Sequence, residues 1–447
     1  MLKNKKKRFN KLNEFLKSKS KMMLWANKLF PICRSITGEG IRQTLSFFEK
    51  INPDLKRLKF KTKQKVFDWE IPNEWNINDA YFQHVKTNKK YALFKKNNLH
   101  VVNYSIPKNK IVTKKELVKN LYYLKNQPNA IPYVTSYYKK KWGFCISYNQ
   151  FKKLPNGEYK IYIDSTLKPG FLDLDHALLK GKKNKEIFFS SYVCHPSMAN
   201  NELTGPILLN LILKYIKSLS KTNYSYRFCL IPETIGSIAY LSKYHKEMKK
   251  NIICGFNLSC LGDRRGYSYV KSRLGNTLAD ESLSSALFKK KNFITYSFFE
   301  RGSDERQYCS PGIDLPVCNF SRSKYGTYPE YHTSLDNLNL INQKGLEESL
   351  SVMISIIDCF ELGIYPKPHF LCEPQLSKRN LYPHTSSKNH IDKDAKIRKN
   401  FLAYCDGKTT IFKIAKLINC SLENLVDEYK LLKQKKILQG LDTKGII

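Results

Sequence analysis

Residues Ile187–Gly205 read IFFSSYVCHPSMANNELTG, and the fold turns on them. An apolar run breaks off at His195. A short polar loop carrying Asn200, Asn201 and Glu202 follows, and then the apolar segment PILLNLILKYIKSL at 206–219. A continuous apolar run ended by turn residues marks a strand buried on both faces, and the segment after it is long enough for a helix. Strand, loop and helix form the repeating unit of an α/β sheet. The loop is either a plain connection or the rim of a metal site, since His and Glu beside Asn at a strand end offer ligand atoms.

The same alternation extends outward from this stretch. YKIYIDSTL, EIFFSSYV, YSYRFCLI, NIICGFNLS and LPVCNFSR read as strands; PILLNLILKYIKSL, SIAYLSKYHKEM and LADESLSSALFKK read as helices. The pattern predicts an α/β sandwich around a mostly parallel sheet over 151–365, closed by the helix GLEESLSVMISIIDCFEL. Residues 1–57 read as helical, with PICRSITGEG as a turn-rich link inside them. Residues 58–150 carry short β-like runs punctuated by Pro, Gly and Asn, which predicts a small β-rich insert. A Pro-broken linker spans 366–392, and 393–447 holds three short amphipathic helices in the manner of a winged helix.

Composition excludes several classes. A hydrophobic fraction of 42% suits a globular chain. No apolar run reaches the 18 to 20 or so residues of a membrane span, and no secretion signal is legible. The twelve cysteines lack a regular spacing and several sit in apolar strands, which predicts reduced thiols and a cytoplasmic location. The net charge of +39 comes mainly from lysines dispersed through runs such as YKKKW and KGKKNK. Clustered arginine, the usual signature of nucleic-acid recognition, is absent. The last helix, SLENLVDEYKLLKQKKIL, places its acids first and its lysines last. A recognition helix presents its N-terminal residues to the groove, so this order speaks against DNA and for a homo-oligomer or protein partner at the C-terminal domain.

In open α/β sheets functional groups gather at the carboxyl ends of strands. Four such ends carry polar residues: His195 with Asn200, Asn201 and Glu202; Glu233 in IPETIGS; Asp304 in RGSDERQY; and His332 with Asp336 in EYHTSLDN. Singly each has a plainer role. His195 is a satisfied strand-end histidine, Asn201 a helix cap, Glu233 a helix-start carboxylate, and Asp304 a partner for Arg301 or Arg306. Together they offer imidazole and carboxylate donors suited to Zn²⁺. That joint reading requires the rings of His195 and His332 to lie within about 8 Å of each other.

The order of these motifs is similar to that of the co-catalytic zinc aminopeptidases of peptidase clan MH. Over nearly its full length the chain resembles a bacterial group of aminopeptidase-like proteins often encoded in surface-polysaccharide gene clusters. The resemblance is carried by FPICRSITGEGIRQTL, VFDWEIPNEWNINDAYF, IPYVTSYYKKKWGFCIS, CHPSMANNELTGP, PETIGSIAYL, GSDERQY and YHTSLDN. It implies a zinc-aminopeptidase-like three-layer α/β sandwich, an inserted β-rich domain and a C-terminal winged helix. It also implies His195 and His332 as metal ligands, Asn201 at the bridging-ligand position, and Glu233 as general base. The same resemblance places Asp304 in the active-site hydrogen-bond network and implies that Asp336 orients His332. The chain departs from the pattern at Asn201, Thr234 and Ser259, where ligand carboxylates are usual, and at Ser197, where an orienting aspartate is usual. Two zinc ions need shared anionic oxygens, so these substitutions predict one zinc, held by His195, His332 and Asp304 or Glu233.

Three functions stay open. The first is a metal-dependent hydrolase of a small peptide or amide, with Tyr331 or Tyr308 steadying the oxyanion. The second is a non-peptidase descendant in surface-polysaccharide biosynthesis, either a binding protein or a modified enzyme. The third is a DNA-binding regulator acting through residues 393–440.

Overall fold

The computed structural model describes residues 2–219, 221–382 and 393–439, with side chains described from residue 10. Its centre is an eight-stranded sheet. Strands Ser225–Ile231, Glu186–Tyr192, Ile252–Leu258 and Val317–Ser321 lie side by side in that order, all parallel. Phe171–Leu179 and then Lys56–Lys61 extend one side antiparallel. Tyr267–Val270 and Phe293–Tyr296 extend the other.

Successive strand residues point to opposite faces, so both must be apolar where helices cover both sides. Ile187 and Phe189 enter one core with the helices Thr204–Ser218, Leu278–Leu287 and Gln343–Leu362. Phe188 and Tyr192 enter the other, with the helix Ile235–Asn251. This is the three-layer α/β sandwich of the zinc-aminopeptidase type. Helix Thr204–Ser218 lies hard against the sheet at Gly205, where a Cβ would stand 2.3 Å from the Leu258 carbonyl oxygen.

A second, four-stranded sheet has the order Lys90–Tyr91, Glu74–His84, Glu158–Lys168, Lys108–Thr113, with antiparallel pairing throughout. It contains YKIYIDSTL, which the alternation along the chain assigns to the large sheet. The strand pattern shows why: Tyr159, Ile161 and Ile163 are buried while Lys160 is exposed and Tyr162 and Asp164 are half-buried. That alternation fits an antiparallel sheet with one solvated face, not a strand covered by helices on both faces. Conversely Lys56–Lys61, at the start of the region read as the insert, is the edge of the large sheet.

The C-terminal helices Lys393–Ala403, Ile411–Leu417 and Leu422–Gln434 form the winged-helix region. They share a core with the sandwich through Phe401, Ile414, Leu425 and Tyr429. Helix Leu422–Gln434 is also tied to it by Lys290 to Glu423 (2.5 Å) and Lys430 to Asp358 (2.5 Å). All twelve cysteines are unpaired. Among the described residues no helix is long and apolar enough to cross a membrane.

Candidate active site

His195 stands just past the end of Glu186–Tyr192, and Glu233 just past the end of its parallel neighbour Ser225–Ile231. Adjacent parallel strands deliver both side chains to one cleft, and the His195 Nε2 to Glu233 Oε2 distance is 3.6 Å. His332 arrives from a loop in which its own backbone takes φ +55°. The ring centroids of His195 and His332 are 5.3 Å apart, inside the limit a shared cation sets. The His332 ring is stacked on Tyr331 at 3.9 Å. Burial and the neighbouring His195 pull the His332 pKa down to about 3, so its ring is neutral at pH 7.

The other nitrogen of His195, Nδ1, lies 3.1 Å from Glu202 Oε2. Behind Glu202 stands Arg34, Nε to Oε1 3.2 Å, and both side chains are sealed from solvent. Arg34 Nε donates to the His195 carbonyl (3.0 Å) and Nη1 to that of Leu29 (2.7 Å). Arg34 Nη2 and Glu202 Oε1 have no hydrogen-bond partner, so the Arg34–Glu202 attraction is coulombic. Burial opposes the charged form of His195, but the Glu202 carboxylate at Nδ1 favours it, and the pKa stays well above the ordinary value. Arg34 was invisible in the sequence, inside what reads as a turn-rich link. Glu202 reads as a further strand-end group, and nothing in the spacing reveals that it faces Nδ1.

Glu233 leads into a strained turn. Thr234 has φ +67° and ψ −75°, and Ile235 N–H donates to the Glu233 carbonyl at 2.9 Å, which makes a γ-turn that a β-branched residue resists. Asp304 holds it there. Its Oδ1 accepts from Thr234 N–H (2.8 Å) and from the Ser237 hydroxyl (2.7 Å), while Oδ2 is buried without a partner. Burial and then the charge of Glu233 push the Asp304 pKa up to about 8. Asp304 therefore braces the turn that carries Glu233. It pairs with neither Arg301 nor Arg306 among the described contacts. Arg306 instead donates to the Thr234 hydroxyl.

Three sequence expectations need correction. Asp336 does not orient His332: its carboxylate accepts from the backbone N–H groups of Ala199 (3.1 Å), Asn200 (2.6 Å) and Asn201 (3.0 Å) and from Tyr328 (2.9 Å). It clamps the loop behind His195. Asn201 Oδ1 is taken by the Tyr192 hydroxyl at 2.6 Å, and burial holds that phenol far above its usual pKa, so it stays a donor. Tyr308 lies within the core, bonded to Ser190 (2.7 Å), and is no oxyanion group.

A cavity of about 400 Å³ opens over these residues, floored by His195, Glu233, Thr234, Arg306 and His332. The insert supplies its opposite wall with Trp69, Tyr133, Tyr137 and Tyr138. The wall is bolted to the floor: Tyr133 N–H donates to the His332 carbonyl (2.8 Å) and Ile131 N–H to the Ser334 hydroxyl (3.0 Å). Tyr133 lies against both imidazoles, with centroids 5.3 and 5.2 Å away.

The donors can be tested against a metal. Two imidazoles on one tetrahedral zinc put their centroids about 5 Å apart, which the His195–His332 spacing of 5.3 Å matches. The Glu202 carboxylate behind Nδ1 is the usual support of a metal-binding histidine. The positions where ligand carboxylates for a second ion are expected lack them. Asn201, Thr234 and Ser259 are neutral, and each is already hydrogen-bonded, Ser259 to Asn319 at 3.1 Å. Arg306 would face that ion with like charge. Among the described residues the one group of three whose donor atoms lie within 4.8 Å of one another is a different one, Cys194, His195 and Glu202. A cation there would meet Arg34, and burial pushes the Cys194 thiol up to about 11, so the sulfur keeps its proton.

Comparison with known proteins agrees with this architecture. Residues 23–363 match the domain of unknown function DUF4910, and 364–440 match a winged helix-turn-helix family. A Clostridium acetobutylicum protein named for polysaccharide biosynthesis, with an aminopeptidase-like domain, is 41% identical over 394 residues, 87% of this chain and 89% of its own. The crystal structure of a candidate peptidase from Clostridium acetobutylicum superposes with a TM-score of 0.85 at 36% identity, covering 98% of this chain and all of that one. A zinc aminopeptidase from Bacillus subtilis shares the fold, with a TM-score of 0.54 at 13% identity over 76% of this chain and 93% of its own. The chain belongs to the DUF4910 family, whose aminopeptidase-like sandwich is here followed by a winged helix.

Proposed function

We propose that this chain is a hydrolase of an amide or peptide bond in a small substrate, working with one zinc ion. The observation that carries the proposal is the meeting of His195, His332 and Glu233 on one cavity floor, with imidazole centroids 5.3 Å apart and Glu233 3.6 Å from Nε2. His195 and His332 would be protein ligands of the zinc. Of the two expected carboxylate ligands, Asp304 is committed to the Thr234 turn and Glu233 is kept as base. The metal would supply Lewis acidity toward a carbonyl and toward water. Glu202 accepts from Nδ1 and so keeps Nε2 turned to the cavity. Arg34 offsets the charge of Glu202. Burial raises the pKa of Glu233, which suits a group that takes a proton from the attacking water and passes it to the leaving amine. Asp304 fixes its backbone, and Tyr133 shields the imidazoles from bulk water.

Elemental analysis of purified protein should find about one zinc per chain. Glu233→Gln should retain the metal and lose hydrolysis of amino-acid amides. Metal-free protein of undiminished stability would favour the second reading, a non-peptidase descendant, binding protein or modified enzyme, serving polysaccharide biosynthesis. The relative's name and the neutral residues Asn201, Thr234 and Ser259 support that alternative. Packing of helix Leu422–Gln434 into the core supports a structural winged helix over a DNA reader. Duplex affinity persisting at physiological salt would contradict that. The unpaired cysteines support a reducing, cytoplasmic setting.

A further inference from the structure

Arg306 is a cation in the cavity that the proposed chemistry does not use. It lines the floor beside Glu233 and Thr234. The one side-chain hydrogen bond it makes among the described residues goes to the Thr234 hydroxyl, a neutral acceptor. Its Nε is buried without any partner. No carboxylate among the described residues lies within 4.0 Å of it, although Glu233 and Asp304 are near enough to feel its charge. Asp304 is committed through Oδ1 to Thr234 and Ser237, and Glu233 is the carboxylate beside His195. A guanidinium whose N–H is enclosed and unanswered is costly, and the group that answers it best is an oxyanion gripped by the planar fork.

The rest of the cavity indicates what accompanies that anion. The facing wall is aromatic, and at its mouth Trp69 and Tyr138 are 39% and 54% exposed with ring centroids 5.8 Å apart.

We propose that the cavity binds a ring-bearing amide carrying a carboxylate or phosphate, with Arg306 as the group that holds the oxyanion. The amide portion rests on the hydrolase proposal; the oxyanion portion does not. Calorimetric titration of the full chain with N-acetyltyrosine, N-acetyltyrosinamide and phenyl phosphate tests it without requiring turnover. N-acetyltyrosine or phenyl phosphate should bind at least about tenfold more tightly than the neutral amide, since a charge-assisted pair is worth more than a neutral one. Whichever anion binds tighter identifies carboxylate or phosphate. Arg306→Gln should abolish the preference, and Arg306→Lys should retain part of it. Equal binding of the acid and the amide, no binding by either anion at millimolar concentration, or a preference that survives Arg306→Gln would each overturn the proposal. Should Arg306→Gln fail to fold, the wild-type comparison and Arg306→Lys decide. A preference for the acid with no hydrolysis of any amide would remove the hydrolase proposal and leave the oxyanion site standing.

Discussion

Removing one member of the Arg34–Glu202 pair should cost far more than the pair is worth. Both side chains are fully enclosed, with Nε and Oε1 at 3.2 Å. Arg34→Met leaves the buried Glu202 carboxylate with the His195 imidazole as its remaining ionisable partner among the described contacts, and Glu202→Gln strands the guanidinium. Breaking a buried pair from one side costs about 3 to 5 kcal/mol because a charge is left without compensation. In the double variant neither charge remains, so its cost should be close to that of one single change. The coupling energy should therefore be about 3 kcal/mol, at the upper end for contacting residues. The hydrogen bonds Arg34 gives to the carbonyls of Leu29 and His195 vanish in both Arg34 backgrounds and cancel in the cycle. Urea unfolding of the four proteins, followed by far-ultraviolet circular dichroism and compared at a common slope, measures it. Glu202→Gln should also weaken zinc binding about 10- to 100-fold, because His195 loses a charged partner at Nδ1. Additivity within about 0.5 kcal/mol, or an Arg34→Met cost below about 1 kcal/mol, would refute the reasoning.

Two further substitutions probe the supports of the site. Asp304 titrates near 8 in the folded chain because of burial and Glu233, against about 3.9 unfolded. The folded state holds that proton more tightly, so the associated stability is complete below about pH 4 and is lost as pH climbs to about 8. Asp304→Asn cannot ionise, so its melting temperature should improve relative to wild type between pH 5 and pH 9, by the equivalent of about 1 kcal/mol or more; a constant difference would contradict the assignment. Asp336→Ala leaves three backbone N–H groups of the 199–201 loop without an acceptor. At about 1 to 3 kcal/mol for each stranded donor it should cost roughly 4 kcal/mol. A loss under about 1 kcal/mol in urea would show that the clamp is dispensable.

Much of the architecture was legible along the chain. The apolar strands EIFFSSYV, YSYRFCLI, NIICGFNLS and LPVCNFSR appear as the parallel centre of the sheet, because a strand covered on both faces must be apolar throughout. The same rule, applied residue by residue to YKIYIDSTL, separates it from that sheet, since its outward positions carry Lys160, Tyr162 and Asp164. The edge strand Phe293–Tyr296 is short and lacks any such signal.

At the site, local sequence determined which side chains leave the strand ends, because His195 and Glu233 follow two neighbouring parallel strands directly. Which atom faces which was decided only by the tertiary structure. Arg34 reaches Glu202, Tyr133 crosses from the insert to both imidazoles, and Asp336 turns to the 199–201 backbone and not to His332. Periodicity and strand order are properties of neighbours in sequence and survive in one dimension. A buried charge finds its partner by proximity in the folded chain, and the residue that answers it can stand at any sequence distance.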